Sequence, residues 1–107
     1  MSSQPAFRAL SDPTRRRILQ LLGDGEMTVT QVTSRFDMTR AAVKKHLNVL
    51  QHGDLITVRR SGRETWIALH PAGMEPVRDW IAHFDQFWGA RLEGLKSAIE
   101  NKEVKDD

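Results

Sequence analysis

The sequence predicts a mainly α-helical domain with one small β-hairpin, in the order α-α-α-α-β-β-α. Three observations carry this prediction. Apolar residues recur every three or four positions over residues 39–52 and 74–100, the period of a helix with one buried face. Ser-Asp-Pro-Thr at residues 11–14 is a strong start signal for a further helix. Residues 55–69 contain two β-rich runs on either side of a Ser-Gly pair, which is the pattern of a hairpin.

The composition is that of one globular domain. The chain has 107 residues, of which 39% are hydrophobic and 28% charged, so a core can form. We assign residues 1–100 to this domain and residues 101–107 to a polar tail. No residue is cysteine, which excludes disulfides and thiolate sites and suits a reducing cytoplasm. No run is apolar enough for a membrane span, and the N-terminus lacks a secretory signal, so we expect a cytoplasmic protein.

Charge is distributed unevenly along the chain. Residues 1–63 contain eleven Arg and Lys against five Asp and Glu, whereas residues 64–107 contain five against nine. A basic first part joined to an acidic second part indicates that only the first part meets a polyanion such as a nucleic acid.

The first two helices follow from local signals. Residues 5–10 are predicted as a short helix that buries Phe7 and Leu10. The second helix starts at the Ser-Asp-Pro-Thr signal and ends at Gly23, and its buried face contains Ile18, Leu19, Leu21 and Leu22. Arg15, Arg16 and Arg17 lie in its first turns, where cations are mildly unfavourable. They indicate either ordinary surface charge or an external anion.

Two short helices joined by about three residues come next. Thr28 and Gln31 have the spacing of a capping box, and Thr39 is the predicted N-cap of the following helix. Gly53 suits a left-handed position just past the end of that helix. Its core-facing residues are Val43, Leu47 and Leu50. This pair predicts a helix-turn-helix, in which the second helix enters the DNA major groove.

The second of these helices has an outer face without acids, followed by a hairpin rich in arginine. Such a face is either simply solvated or suited to the base edges of DNA, and the arginines around the hairpin tip favour DNA. A winged helix-turn-helix is therefore predicted. Base contacts are assigned to Arg40, Ala41, Lys44, Lys45 and Asn48, phosphate contacts to Thr30, Gln31 and Thr39, and backbone or minor-groove contacts to Arg59, Arg60 and Arg63.

Residues 6–70 contain four distinctive runs: FRALSDPTRRRILQLL, TVTQVTSRF, TRAAVKKHLNVL and GDLITVRRSGRETWIAL. In this combination they resemble the winged-helix repressors of the ArsR/SmtB type, and the resemblance continues more loosely through the last helix. It implies a homodimeric bacterial transcription repressor that binds a palindromic operator near its own promoter.

Residues 74–100 are predicted as one helix with a long aromatic stripe. So broad an apolar seam exceeds what one small domain can cover, so we expect part of it to pair with a second copy. Core or interface is favoured over a ligand pocket. The predicted dimer interface contains Phe7, Trp80, Ile81, Phe84, Trp88, Leu92, Leu95 and Ile99.

Neither cofactor nor catalysis is indicated. The resemblance implies two possible metal sites, one of cysteines within residues 29–35 and one that begins with an Asp-x-His pair on the last helix. The chain has no cysteine, Asp79 is followed by Ile81 at the histidine position, and His83 has no later histidine. His46 is interpreted as a structural hydrogen-bonding residue. The sequence also lacks a glycine-rich phosphate loop and a Ser–His–acid arrangement.

Three alternatives remain open at this stage. The protein could respond to a small apolar effector held between Trp66, Trp80 and Trp88, and the effector itself is unknown. It could be a protein-interaction module that keeps a winged helix without using DNA. RNA binding is disfavoured, because the chain lacks an aromatic stacking platform.

Overall fold

The computed structural model describes the backbone of residues 3–105 and the side chains of residues 3–89 and 91–100. The chain divides into two compact units between Val77 and Arg78. The predicted mainly helical fold with a hairpin wing is confirmed. Its elements in chain order are α1 (Gln4–Leu10), α2 (Pro13–Leu22), β1 (Met27–Thr28), α3 (Val29–Thr33), α4 (Arg40–His52), β2 (Ile56–Ser61), β3 (Glu64–Leu69), a 3₁₀ turn (Pro71–Met74), α5 (Glu75–Ala82) and α6 (Asp85–Lys105).

The first unit has one hydrophobic core between its helices and its sheet. As predicted, α4 buries Val43, Leu47 and Leu50. Helix α1 differs from the prediction, because its buried residues are Ala6 and Ala9, whereas Phe7 and Leu10 are only partly buried. Small residues are needed here, since a Cβ on Gly53 would lie 2.8 Å from the carbonyl oxygen of Pro5. The backbones of α1 and the end of α4 are therefore nearly in contact.

The sheet has three antiparallel strands in the order β1-β3-β2. Strand β1 pairs Met27 with Ile67 and Thr28 with Trp66. Strand β1 was not predicted, because two residues are too few to show any periodicity. The hairpin turn is also displaced by one residue: Ser61 pairs with Glu64, so Gly62 occupies the first turn position. Its φ of 64° is one that glycine adopts without strain.

The end of α4 differs from the prediction as well. Gly53 has a φ of −80°, so it is not left-handed; Asp54, one residue later, has a φ of 63°. Glycine is required at residue 53 because a side chain there would collide with α1. Gly73 meets a similar constraint, because a Cβ there would lie 1.5 Å from the carbonyl oxygen of Asp54. The 3₁₀ turn therefore packs directly on the α4–β2 connection.

The arginine cluster of α2 is largely explained by contacts within the chain. The Nε of Arg15 donates to the carbonyl oxygen of Ala9 at 2.7 Å, and its Nη2 donates to that of Arg8 at 3.0 Å. The Nη1 of Arg16 donates to the carbonyl oxygen of Leu10 at 2.7 Å. These carbonyls lie at the C-terminal end of α1, where backbone acceptors lack helical partners. Two of the three arginines thus cap α1.

Asp12 joins the start of α2 to α4. Its carboxylate accepts from the backbone N–H of Arg15 at 3.0 Å, as an N-cap does, and lies 3.8 Å from the Nδ1 of His46. Burial alone would raise the pKa of Asp12, but other influences outweigh it, so the pKa lies below its ordinary value. They are, in order, the backbone N–H of Arg15, the charges of His46 and Arg15, and the backbone N–H of Thr14.

Asp12→Asn is expected to lower stability near neutral pH but not in acid. Asparagine caps helices about as well as aspartate, so the substitution removes mainly the charge. Because the pKa is lowered in the folded state, the unfolded chain binds more protons in the acid range. The contribution is therefore present above about pH 4 and lost as the pH falls below it. Melting of both proteins from pH 6 to pH 3 should show that their difference in unfolding free energy, at most about 1 kcal/mol, disappears in acid. A difference that stays constant over this range would contradict the prediction.

The predicted single helix over residues 74–100 is wrong, because the chain forms α5 and α6 with a break at His83 and Phe84. The N–H of Phe84 donates to the carbonyl oxygen of Ile81, three residues back, and that of Phe87 donates to Phe84 in the same way. Such bonds tighten the chain into a turn. Asp85 then begins α6, where an acid is favourable in the first turn.

Helix α6 extends to Lys105. It therefore continues into the segment assigned to the tail, and the domain boundary at residue 100 stays a prediction. Within residues 3–105, no helix combines the length and apolarity that crossing a membrane requires.

Candidate nucleic-acid interface

Helix α3 is short, and its capping box determines where it begins. The Oγ1 of Thr28 accepts from the N–H of Gln31 at 3.0 Å, and the Oε1 of Gln31 accepts from the N–H of Thr28 at 2.9 Å. The predicted capping box is therefore present. This cap engages the oxygen of Gln31, and the amide NH₂ group of the same side chain is the one that can donate to a phosphate.

Arg40 and Thr30 connect the two helices of the helix-turn-helix. The Nη1 of Arg40, the first residue of α4, donates to the Oγ1 of Thr30 on α3 at 2.8 Å, and both residues are exposed. The Oγ1 of Thr39 caps α4 by accepting from the N–H of Ala42 at 3.1 Å. The structure thus brings together three of the predicted DNA-contact residues at the N-terminal end of α4.

The outer face of α4 contains no acid and is exposed throughout its length; it consists of Arg40, Ala41, Lys44, Lys45, Asn48, Gln51 and His52. Beside it lies a groove of ≈ 230 Å³ between α4 and the wing. Lys44, Asn48 and Gln51 line one side of this groove, and Val58 and Thr65 line the other. Helix and wing therefore form one continuous surface.

The structure separates the three wing arginines, which were predicted as one set of DNA contacts. Arg60 pairs with Thr65 across the hairpin, and Arg59 pairs with Trp66. Because neighbours in a strand point to opposite faces, Arg60 shares the face of Thr65, which lines the α4 groove, and Arg59 lies on the outer face. Arg63 occupies the second turn position. Arg60 thus extends the basic surface of α4, and Arg63 lies at the tip of the hairpin.

Arg59 is held on that outer face by two neighbours. Its Nη2 lies 2.7 Å from the Oε1 of Glu26, and its guanidinium carbon lies 5.5 Å from the centre of the Trp66 ring. Glu26 was not predicted, since no pattern relates a residue before β1 to one on β2. Gln51 was not assigned to the interface either, although the helical period places it on the same face of α4 as Lys44.

The second unit exposes large apolar side chains along its length. Its predicted interface residues are 37–65% exposed, and Phe87, which was not in the predicted set, is 59% exposed. Trp80 and Phe84 make an edge-to-face contact with ring centres 5.2 Å apart. Phe7, the remaining predicted interface residue, belongs to the first unit and is partly buried.

His46 and His70 have individual polar neighbours, and the three tryptophans are divided between the two units. His46 contacts Asp12 and Arg15, and the Nδ1 of His70 lies 3.0 Å from the Oδ1 of Asp54. Among the described residues, no group of three His, Asp or Glu side chains has the arrangement of a metal site. Trp66 contacts Arg59 in the first unit, whereas Trp80 and Trp88 belong to the second.

Comparisons with known proteins agree with this geometry. A family model described as a helix-turn-helix domain matches residues 10–59. The transcriptional repressor SdpR of Bacillus subtilis is 33% identical over 78 residues, which are 73% of this chain and 87% of that protein. The HTH-type transcriptional regulator Rv2034 of Mycobacterium tuberculosis is 32% identical over 101 residues, 94% of this chain and 92% of that protein. The crystal structure of an ArsR family transcriptional regulator, RHA00566, superposes with a TM-score of 0.72 at 31% identity and covers 80% of this chain and 89% of its own.

Proposed function

We propose that this protein, which belongs to the ArsR family of winged helix-turn-helix transcriptional regulators, is a homodimeric repressor. In this proposal it binds palindromic DNA operators, one of which lies near its own promoter. The chain is a DNA-binding regulator and not an enzyme. The observation that carries the finer proposal is the acid-free outer face of α4, continuous with a wing that bears two further arginines.

The proposed roles follow from position on this surface. Residues at the N-terminal end of a recognition helix reach base edges first, so Arg40 and Lys44 read bases, and the guanine edge suits them best. Lys45 and Asn48 lie further along the same exposed face, and the amide of Asn48 suits adenine. Thr30, Gln31 and Thr39 donate to phosphates at one side of the groove. Arg60 and Arg63 contact the backbone or the minor groove beyond it.

The exposed apolar surface of the second unit supports the dimer. Eight large apolar side chains between Trp80 and Ile99 are exposed in a single copy. A patch of this size on one chain is typical of an interface between copies. A two-fold axis then presents two copies of α4 to successive major grooves on one side of the duplex, with half-sites about 10 bp apart or a multiple of that.

We further propose that repression does not depend on a metal ion or a thiol. The sequence contains no cysteine, so the chain has no thiolate to offer a metal or an oxidant. On the last two helices, Ile81 occupies the position at which the resembling metal sensors have histidine. Zinc added at micromolar concentration, or chelator, should leave operator affinity unchanged.

Selection of bound fragments from the source genome tests the function. We expect recovered duplexes to share a palindrome, and fluorescence anisotropy on that palindrome should show affinity that falls steeply with salt. A scrambled duplex of the same length and a single strand are the controls, because they retain phosphates without the sequence or without the grooves. Failure to bind any duplex even at about 50 mM salt would contradict the proposal.

A further inference from the structure

Glu26, Arg59 and Trp66 form a cluster that extends from β2 across β3 to the residue before β1. Glu26 directly precedes β1, Arg59 lies on β2, and Trp66 lies on β3, the central strand. The guanidinium of Arg59 is 5.5 Å from the centre of the Trp66 ring and reaches the carboxylate of Glu26 at 2.7 Å. Arg59 therefore crosses the central strand from one edge of the sheet to the other.

This cluster lies on the face of the sheet opposite the α4 groove. Thr65 and Ile67 line that groove, and Trp66, between them in the strand, points the other way. Its cross-strand partner Arg59 does the same. A phosphate contact from Arg59 on the α4 side of the sheet would need the side chain to leave both Glu26 and Trp66.

We propose that Glu26 and Arg59 brace the wing and act as positioning residues for DNA binding, while Arg60 and Arg63 make the phosphate contacts of the wing. The inference rests on the proposed DNA-binding function. The brace connects the hairpin to β1, which leads directly into α3, so it sets the angle of the wing relative to the helix-turn-helix. Three wing arginines thus divide into one that orients the wing and two that contact DNA.

The contacts are of a suitable strength for this role. The side chains of Arg59 and Glu26 are 55% and 40% exposed, and exposed ion pairs and cation–π contacts add little to folding. None of the three residues is among the buried hydrophobic core. Removing the brace should therefore release the wing without unfolding the domain, which separates positioning from stability.

The salt dependence of operator binding by four variants tests this assignment. We expect Arg60→Ala to flatten the slope of log affinity against log salt by about 0.9, the value for one lost phosphate contact on duplex DNA. Arg59→Ala should weaken binding about three- to tenfold with an unchanged slope. Glu26→Gln should also weaken binding, about two- to fivefold. Asp24→Asn is the matched control, because it removes an exposed acid from the same connection, two residues from Glu26.

The same variants would behave differently if Arg59 bound a phosphate. If Arg59 were a phosphate ligand that Glu26 merely competes for, Glu26→Gln would tighten binding, and Arg59→Ala would flatten the slope by about 0.9. Either outcome would overturn the proposal.

A measurement without DNA keeps the brace testable by itself. Amide hydrogen exchange in β2 and β3 should accelerate in Glu26→Gln and Arg59→Ala but not in Asp24→Asn, with melting temperatures close to that of the wild type. Unchanged exchange would contradict the brace even if the protein binds DNA. Accelerated exchange in a protein that binds no duplex would support the brace and refute the proposed function instead.

Discussion

Trp88→Glu is expected to convert the dimer into a monomer and to abolish tight operator binding. Trp88 is 53% exposed in one copy, and it recurs at helical spacing with Leu92, Leu95 and Ile99 on α6. A carboxylate in such a seam would be buried without a partner when two copies meet. Loss of a tryptophan anchor alone costs about 2 kcal/mol or more, a factor of roughly 30 in the dimer dissociation constant. Sedimentation velocity and operator titration measure both effects.

Ser97→Glu is the matched control for this prediction. It adds the same charge to the same helix, but the helical period places Ser97 about half a turn from the seam. We expect it to remain dimeric. Melting curves show whether either variant is folded, and Leu92→Lys provides a second disruption should Trp88→Glu fail to fold. A folded Trp88→Glu protein that sediments as an unchanged dimer would contradict the proposed interface.

The sequence was most informative where a periodic pattern and local end signals agree. Helix α4 was predicted within a residue at each end, because Thr39 caps it, its apolar residues keep one period, and it ends at Gly53. The start of α2 at Pro13 and the capping box of α3 depend equally on residues close together in the chain. Such features require no knowledge of the fold, since capping and amphipathicity are local.

Features that depend on contacts between distant residues could not be predicted in this way. The φ of Asp54 and the need for glycine at residue 53 both arise from backbones that meet only in the folded domain. The division of the wing arginines depends on which face of β2 lies toward α4 and on which residues enter the turn: Ser61 pairs with Glu64, so Arg63 lies in the turn rather than on β3. The break between α5 and α6 was missed because the apolar stripe continues through His83 and Phe84 without interruption.

The proposed DNA-contact surface could be predicted only in part. The residue types and their helical spacing predicted which side chains of α4 are exposed, and all of these are exposed in the structure. The partners of those side chains were not predicted. The arginines at residues 15 and 16 cap α1 within the chain, so a basic cluster by itself does not identify a DNA surface. Arg40 differs from them because its hydrogen bond to Thr30 lies at the exposed end of the recognition helix.

Arg40→Ala is expected to weaken operator binding by about 1–3 kcal/mol and to relax sequence preference at one position of each half-site. Arg40 opens α4, and its hydrogen bond of 2.8 Å to the Oγ1 of Thr30 limits the directions in which the guanidinium can point. An arginine held in this way loses less side-chain entropy when it binds a guanine edge. Titration against the operator and against a set of single-base variants measures both effects.

Thr30→Val and Arg17→Ala complete this experiment. Thr30→Val keeps the shape of the side chain but removes the hydroxyl that accepts from Arg40, so it should reproduce part of the loss in specificity with Arg40 still present. Arg17→Ala is the control, because it removes an exposed cation from α2 and not from the recognition helix α4. It should leave base preference unchanged. If Arg40→Ala weakened operator and random duplex equally, Arg40 would be a phosphate contact. Base reading would then depend on Lys44, Lys45 and Asn48.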